Sequence, residues 1–132
     1  MALTLEIVTP ERRVLEVRAD EVRAPGVQGG FGVRERHAAF MTALEAGRLT
    51  YVAGGQEHHY AIGGGFLQVL DDRVIVLADS ADAREDIDLD AAKRALAEST
   101  ERLRSMTEQD ETYAVESARV RRETARITVA GR

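Results

Sequence analysis

The chain has no cysteine and no tryptophan, and only two of its 132 residues are proline. Without cysteine, disulfides and thiolate metal sites are excluded, which suits a reducing compartment. Aromatic residues make up 5%, so a core drawn from the 44% of hydrophobic residues must be aliphatic. Apolar runs fall far short of the ~20 residues that a membrane helix needs. The first six residues, Met1 to Glu6, have neither the basic start nor the apolar stretch of a secretory signal, so none is expected. Basic excess is also missing. The net charge is −5, which argues against nucleic acid as a partner. Lys93 is the only lysine.

Chemistry is equally scarce. His58 and His59 are adjacent, so in a strand they point to opposite faces and do not bind one metal. Gly63, Gly64 and Gly65 are not followed by the lysine and hydroxyl residue of a phosphate loop, and they read instead as a strand turn or bulge. The acidic residues Asp82, Glu85, Asp86, Asp88 and Asp90 lack the calcium-loop pattern and read as a linker running into a helix. No Ser, His and Asp set shows the logic of an activated nucleophile. The expected metal sites, catalytic residues and cofactors are none, and the chain is not read as an enzyme.

What is present is organised in two parts that meet near Asp86. Up to that point short alternating runs are separated by turn signals. Leu3, Leu5 and Ile7 open the series, followed by runs around Val14 to Val17, Glu21 to Ala24, Phe40 to Leu44, Arg48 to Val52, Glu57 to Ile62, Phe66 to Leu70 and Arg73 to Ala78. The turn signals include Pro25 with Gly26, Gly29 with Gly30, Ala46 with Gly47, Gly54 with Gly55, residues 63–65, and Asp71 with Asp72. Short strands so punctuated predict an all-β sandwich or barrel, with a hairpin at Asp71 and Asp72.

Beyond Asp86, glycine and proline vanish until Gly131. Leu89, Ala92, Leu96, Leu103 and Met106 recur at helical spacing, with Asp88 as the expected cap. Thr107 and Asp110 stand at capping-box spacing before a second helix expected from about Glu111 toward Arg126. The fold class is therefore mainly β with α: a β-sandwich over residues 1–86, then an antiparallel two-helix hairpin over 87–132. Residues 81–112 hold ten acidic and five basic residues, whereas 113–132 hold five basic and two acidic. Helix pairing would bring unlike charges together, and the basic segment could also meet an acidic partner.

The order and spacing of several segments resemble one family, the epsilon subunit of bacterial F-type ATP synthase. They are Leu5 to Pro10, residues 29–44 followed by Gly47, Ile62 to Val69, Val74 to Ala81, and Glu85 to Asp88. The resemblance covers nearly the whole chain and implies a non-catalytic, central-stalk rotor subunit. Such a subunit binds the gamma subunit and the ring of c subunits and helps couple proton flow to ATP synthesis. In many members the helices extend, contact the catalytic alpha and beta subunits transiently and inhibit ATP hydrolysis. The implied location is peripheral, on the cytoplasmic face of the bacterial inner membrane, with membrane contact only through the complex.

Carried over by position, Thr9, His37 and Thr42 match gamma-facing residues. Gly30, Phe31, Arg34 and Glu35 match the end that faces the c ring, and Arg119, Arg121, Arg122 and Arg126 match the inhibitory helix. Two places depart from the family. Residues 34–36 are charged where a Tyr-Pro-Gly sequence is usual before the histidine, and Gly30 replaces a common acidic residue. The family's ATP motif on the hairpin is also broken, because Asp88 and Ala92 are kept but Ala91 replaces the arginine that would meet phosphate. No nucleotide is therefore expected as a cofactor. The alternative is a free-standing β-sandwich module that binds a small ligand or peptide at its glycine-rich turns.

Overall fold

The computed structural model describes residues 3–131. Eight strands come first: β1 (Leu3–Val8), β2 (Arg13–Ala19), β3 (Glu21–Gly26), β4 (Gly29–Arg34), β5 (Phe40–Ala53), β6 (Gln56–Leu70), β7 (Arg73–Ala78) and β8 (Ala81–Ala83). A 3₁₀ turn (Arg84–Asp86) leads into α1 (Leu89–Leu103) and α2 (Tyr113–Ala130). A β-sandwich followed by two helices is the architecture expected from the sequence.

The strands form one sheet in the order β2-β1-β7-β6-β5-β3-β4, with β8 also paired to β6. All the pairs are antiparallel except β1 with β7. The sheet becomes a sandwich because β5 and β6 are long enough to belong to both layers. Their side-chain phase reverses midway. In β6, Ile62 belongs to the core with Tyr60 packed against it, and beyond the glycines Leu67 and Val69 belong to it. In β5, Leu44 is succeeded by Leu49 and Tyr51. An uninterrupted strand keeps one parity per face, so a switch of parity marks a bend that carries the strand across the sandwich.

Three sequence readings are corrected here. Ala46 with Gly47, and residues 63–65, do not end strands; they lie inside β5 and β6, so four expected runs are two long strands. The β5–β6 register continues through this region, with Leu44 opposite Gly65 and Ala46 opposite Gly63. Gly64 and Gly65 have φ values of 104° and 144°, and a Cβ at Gly65 would collide with the carbonyl oxygen of Leu77. Residues 29 and 30 do not form the expected turn; they open β4, which pairs with β3 around a two-residue turn after Gly26. Thr107 and Asp110 do not cap α2. The Asp110 carboxylate instead accepts the Thr107 N–H within the loop at 2.9 Å, and α2 starts later, at Tyr113.

Other readings hold. The turn at Asp71 and Asp72 connects Leu70 to Arg73, with φ of 51° and 62°, and Gly54 with Gly55 connects Ala53 to Gln56 in the same way. Asp88 caps α1 by accepting the Ala91 N–H at 3.0 Å. Leu3, Leu5, Ile7, Val22, Val33, Leu49, Ile62, Leu67, Val74 and Val76 are fully buried between the layers, an aliphatic core as the composition requires. Glu6 points outward, yet it too is covered, by Arg13 and Arg73, each at 2.8 Å.

The helices pack as an antiparallel pair against the layer formed by β8, the first half of β6 and the second half of β5. Ala125 and Val129 of α2 meet Ala61, with Ala46 and Ile87 at the margin. The expected attraction between unlike helices is present: Arg102 on α1 lies 3.3 Å from Glu116 on α2.

Gly65 supplies the first prediction. A Gly65→Ala substitution adds a clash to an unfavourable φ, and should destabilise the chain by about 2–3 kcal/mol. Gly30→Ala, whose new Cβ would find its nearest neighbour at 3.8 Å, should change stability by less than about 0.5 kcal/mol. Urea denaturation of the two variants checks both values.

Candidate functional site

Two surfaces stand out. Among the described residues no group of three His, Cys, Asp or Glu side chains converges as metal ligands.

The first surface is the outer face of the layer that the helices leave bare. Phe66 is opposite Ala43 on one side and Leu77 on the other, and Leu77 is in turn opposite Val8. Residues directly opposite in register share a face, so these side chains form an apolar row across four strands. Met41 lies two residues from Ala43 on the same face. Phe66 and Leu77 are each 55% exposed and Met41 is 66% exposed. A groove of about 550 Å³ runs along the end of this row between Thr9, Pro10, Phe66 and Leu77. On the far side of the face, the ion pairs of Glu6 and Glu16 with Arg13 and Arg73 replace the apolar surface.

The expected gamma-facing residues do not form one patch. Thr9 borders the groove, but its hydroxyl is tied to the Arg12 carbonyl at 3.3 Å. Thr42, between Met41 and Ala43, points to the opposite face from them, and its hydroxyl bonds the Ala43 carbonyl. His37 belongs elsewhere, stacking edge-on with Phe40, which in turn meets Phe31 at a ring distance of 5.4 Å. The structure therefore groups His37 with Phe31 and the neighbouring Gly30, Arg34 and Glu35. The backbone N–H of Arg36 binds the Asp72 carboxylate at 2.6 Å and fixes this loop to the β6–β7 turn.

Met41, Phe66 and Leu77 were not singled out in the sequence. The available signal was a strand apolar on both phases, as in Phe66, Leu67, Val69 and Leu70, which implies that both faces seek cover.

The second surface is the inner side of α2. Arg126 donates from Nε to Asp82 at 2.9 Å and from its terminal nitrogen to Glu123 at 3.0 Å. Burial works to lower the pKa of Arg126, but the bond to Asp82 and the charges of Asp82 and Glu123 outweigh it and raise the value. Arg126 is therefore a permanent cation fixed to the sandwich. Arg122 reaches Glu123 at 3.4 Å, Arg119 lies 4.0 Å from Glu116, and Arg121 is exposed. Arg48 from β5 adds a bond to the Thr128 carbonyl at 3.1 Å. Of the four expected arginines, one points freely outward and one is a structural tie. Glu123 and Asp82, the partners of that tie, were not anticipated. The spacing of Glu123 three residues before Arg126 was a signal for one of them, whereas Asp82 is brought near only by the fold.

This succession of a sandwich and a docked helix pair matches two family descriptions in tandem. "ATP synthase, Delta/Epsilon chain, beta-sandwich domain" matches residues 2–84, and "ATP synthase, Delta/Epsilon chain, long alpha-helix domain" matches residues 85–131. The chain belongs to the ATP synthase delta/epsilon family. An ATP synthase epsilon chain of Anaeromyxobacter dehalogenans is 70% identical over 132 residues, covering all of both chains. Its counterpart in Myxococcus xanthus is 47% identical over 128 residues, covering 97% of this chain and 94% of the relative. Among solved structures, a chain of the Euglena gracilis mitochondrial ATP synthase superposes with a TM-score of 0.76 at 23% identity, over 94% of this chain and 78% of its own length. A chain from the Tetrahymena thermophila mitochondrial ATP synthase central stalk and c-ring gives 0.63 at 14% identity, over 99% and 96%. At those identities the two structures show a shared delta/epsilon fold.

The Asp82–Arg126 tie yields a prediction for this family member. Both side chains are partly exposed, so the pair contributes about 1 kcal/mol rather than the value of a buried bridge. Asp82→Asn should speed hydrogen exchange in α2 by about fivefold while leaving the core strands unchanged. Equal acceleration in β1 and α2 would show that the tie supports the whole fold instead.

Proposed function

We propose that this chain is a non-catalytic rotor subunit of an F-type ATP synthase, seated between the gamma subunit and the c ring and coupling proton flow to ATP synthesis. The observation that carries this reading is the uncovered row of Ala43, Phe66 and Leu77 with Met41 beside it. A contiguous apolar face on a small protein marks a protein interface. Its flat, open form suits the side of a shaft better than a small ligand. Gamma docks on this row, with Thr9 at its border. The end bearing Gly30, Phe31, Arg34, Glu35 and His37 meets the c ring, and its charged 34–36 loop gives those contacts a more polar character than is usual for the family.

The chain is peripheral to the membrane at its cytoplasmic face. No helix among the described residues is long and apolar enough to cross it. The Tetrahymena chain that shares this fold belongs to a central stalk with its c ring, which supports a peripheral place in the complex. The helices add regulation. When undocked, Arg119, Arg121, Arg122 and Arg126 contact acidic surface on the alpha and beta subunits and restrain hydrolysis. In the docked form Arg126 is withheld by Asp82 and Glu123. Nucleotide binding on the hairpin is not part of this reading, since Ala91 supplies no phosphate contact.

Two experiments test this reading. Phe66→Glu should weaken binding to purified gamma by at least about 30-fold, as expected for an interface anchor worth 2 kcal/mol. Its exposure means that the isolated chain should keep its stability, so unchanged gamma affinity in a folded variant would overturn the docking face. Truncation after Asp86 should leave assembly intact and raise ATP hydrolysis by the complex. Unaltered hydrolysis would remove the inhibitory role and leave the coupling role standing.

A further inference from the structure

β4 is the last strand of the sheet, paired to β3 on one side and to no strand on the other among the described residues. A hairpin closed by a two-residue turn exchanges both bonds at the pair flanking the turn and at every second pair after it. Those pairs are Gly26 with Gly29, Ala24 with Phe31 and Val22 with Val33. Gly30, Gly32 and Arg34 therefore aim their peptide groups away from β3. The Arg34 carbonyl already accepts the His37 N–H at 3.1 Å, which leaves the Arg34 N–H and both groups of each glycine along the edge. Natural edges are often blunted by proline or lysine, and residues 29–34 contain neither. Gly30 adds a second observation. Its φ lies outside the left-handed region, and an added Cβ would meet nothing nearer than the Ala24 carbonyl oxygen at 3.8 Å. Neither conformation nor packing within the chain calls for glycine there, and a strand glycine often marks the close approach of another backbone.

We propose that β4 takes up an extended, acidic segment of a neighbouring protein as a further strand of the sheet. Main-chain bonds along the edge supply the affinity, and side chains set the choice of segment. On the added strand, residues opposite Gly30, Gly32 and Arg34 share the outer face with them. A groove of about 590 Å³ lies on that face over β3, β4 and β5, bordered by Arg23, Arg48 and Glu21. The Arg34 side chain is 78% exposed and lies 3.5 Å from Glu21, and Arg23 binds Glu57 at 2.6 Å. Three arginines against two glutamates leave a positive balance in a chain of net charge −5, so carboxylates suit this face. The alternate residues of the segment point the other way, beside Phe31 and Val33, and are apolar. The fitting segment thus alternates acidic and apolar residues over a length that matches residues 30–34. This inference rests on the reading of this end as a partner surface and gives the form that the partner takes there.

The probe is the blocked peptide acetyl-Glu-Val-Glu-Val-Glu-amide, titrated into the full chain at constant ionic strength and followed by backbone NMR. Saturable 1:1 binding is expected, with shifts centred on residues 29–34 and slower exchange of the Gly30 and Gly32 N–H groups. N-methylation of the central glutamate, whose N–H faces the edge, should raise Kd at least about tenfold, whereas N-methylation of the first valine, whose N–H faces away, should change it by less than about threefold. Arg34→Glu should weaken this peptide at least about fivefold and favour its counterpart with lysine in place of glutamate. The inference is overturned by a lack of saturation at about 10 mM, by equal losses from the two N-methylations, or by equal affinity of the wild type for the glutamate and lysine peptides. A concentration-dependent dimer that excludes the peptide assigns the edge to a second copy of this chain and overturns it too. Attachment to the c ring without peptide binding removes this inference alone, and peptide binding without ring attachment removes only the ring-facing reading of this end.

Discussion

The arrangement rests on a bend in two strands. β5 and β6 pass from one layer of the sandwich to the other, and β6 does so at Gly64 and Gly65, where the backbone takes φ values open to glycine. One strand therefore shows different faces to the core at its two ends. Its first half turns Ala61 outward to receive α2, and its second half turns Phe66 outward to remain bare. Without the bend, these two residues would not serve separate surfaces on opposite sides of the molecule.

The sequence conveyed the architecture more clearly than the surfaces. Alternation made β1, β3 and β7 legible, and helical spacing with a capping aspartate did the same for α1. The long strands were harder to see, because glycine is a signal for both a turn and a bend and only pairing decides between them. β4 was hidden because three of its six residues are glycine, and Val33 alone carries a fully buried side chain. The apolar row was obscured for another reason. Its members come from four strands, and their adjacency is a matter of register, which no local window contains. Asp82 and Arg126 are likewise 44 residues apart and are joined only by the docking of α2. The arginines of α2 were visible as a basic segment, but the division between inward and outward ones was not.

That division bears on how the helices are held. Apolar contact under α2 is small, resting mainly on Ala125 and Val129. Alanine buries little surface, so hydrophobic contact alone gives weak docking. Polar ties through Arg48, Asp82 and Arg126 supplement it, and they sit where water and salt can reach them. A helix held by such contacts is secured in position yet easily exchanged for another partner of like chemistry. The same guanidinium cannot serve the sandwich and a second acidic surface at once, so any exchange of partners would first have to release Arg126 from Asp82.

The register of β5 against β6 has a mechanical side. Thirteen residue pairs align along one antiparallel hairpin that spans both layers. A load pulling the two layers past each other is carried by the covalent backbones of β5 and β6, whereas a load drawing one of these strands along the other acts on their hydrogen bonds together, in shear. The layers are thus joined by two continuous backbones as well as by their aliphatic filling. A subunit caught between turning parts would pass torque across its width with little internal slip.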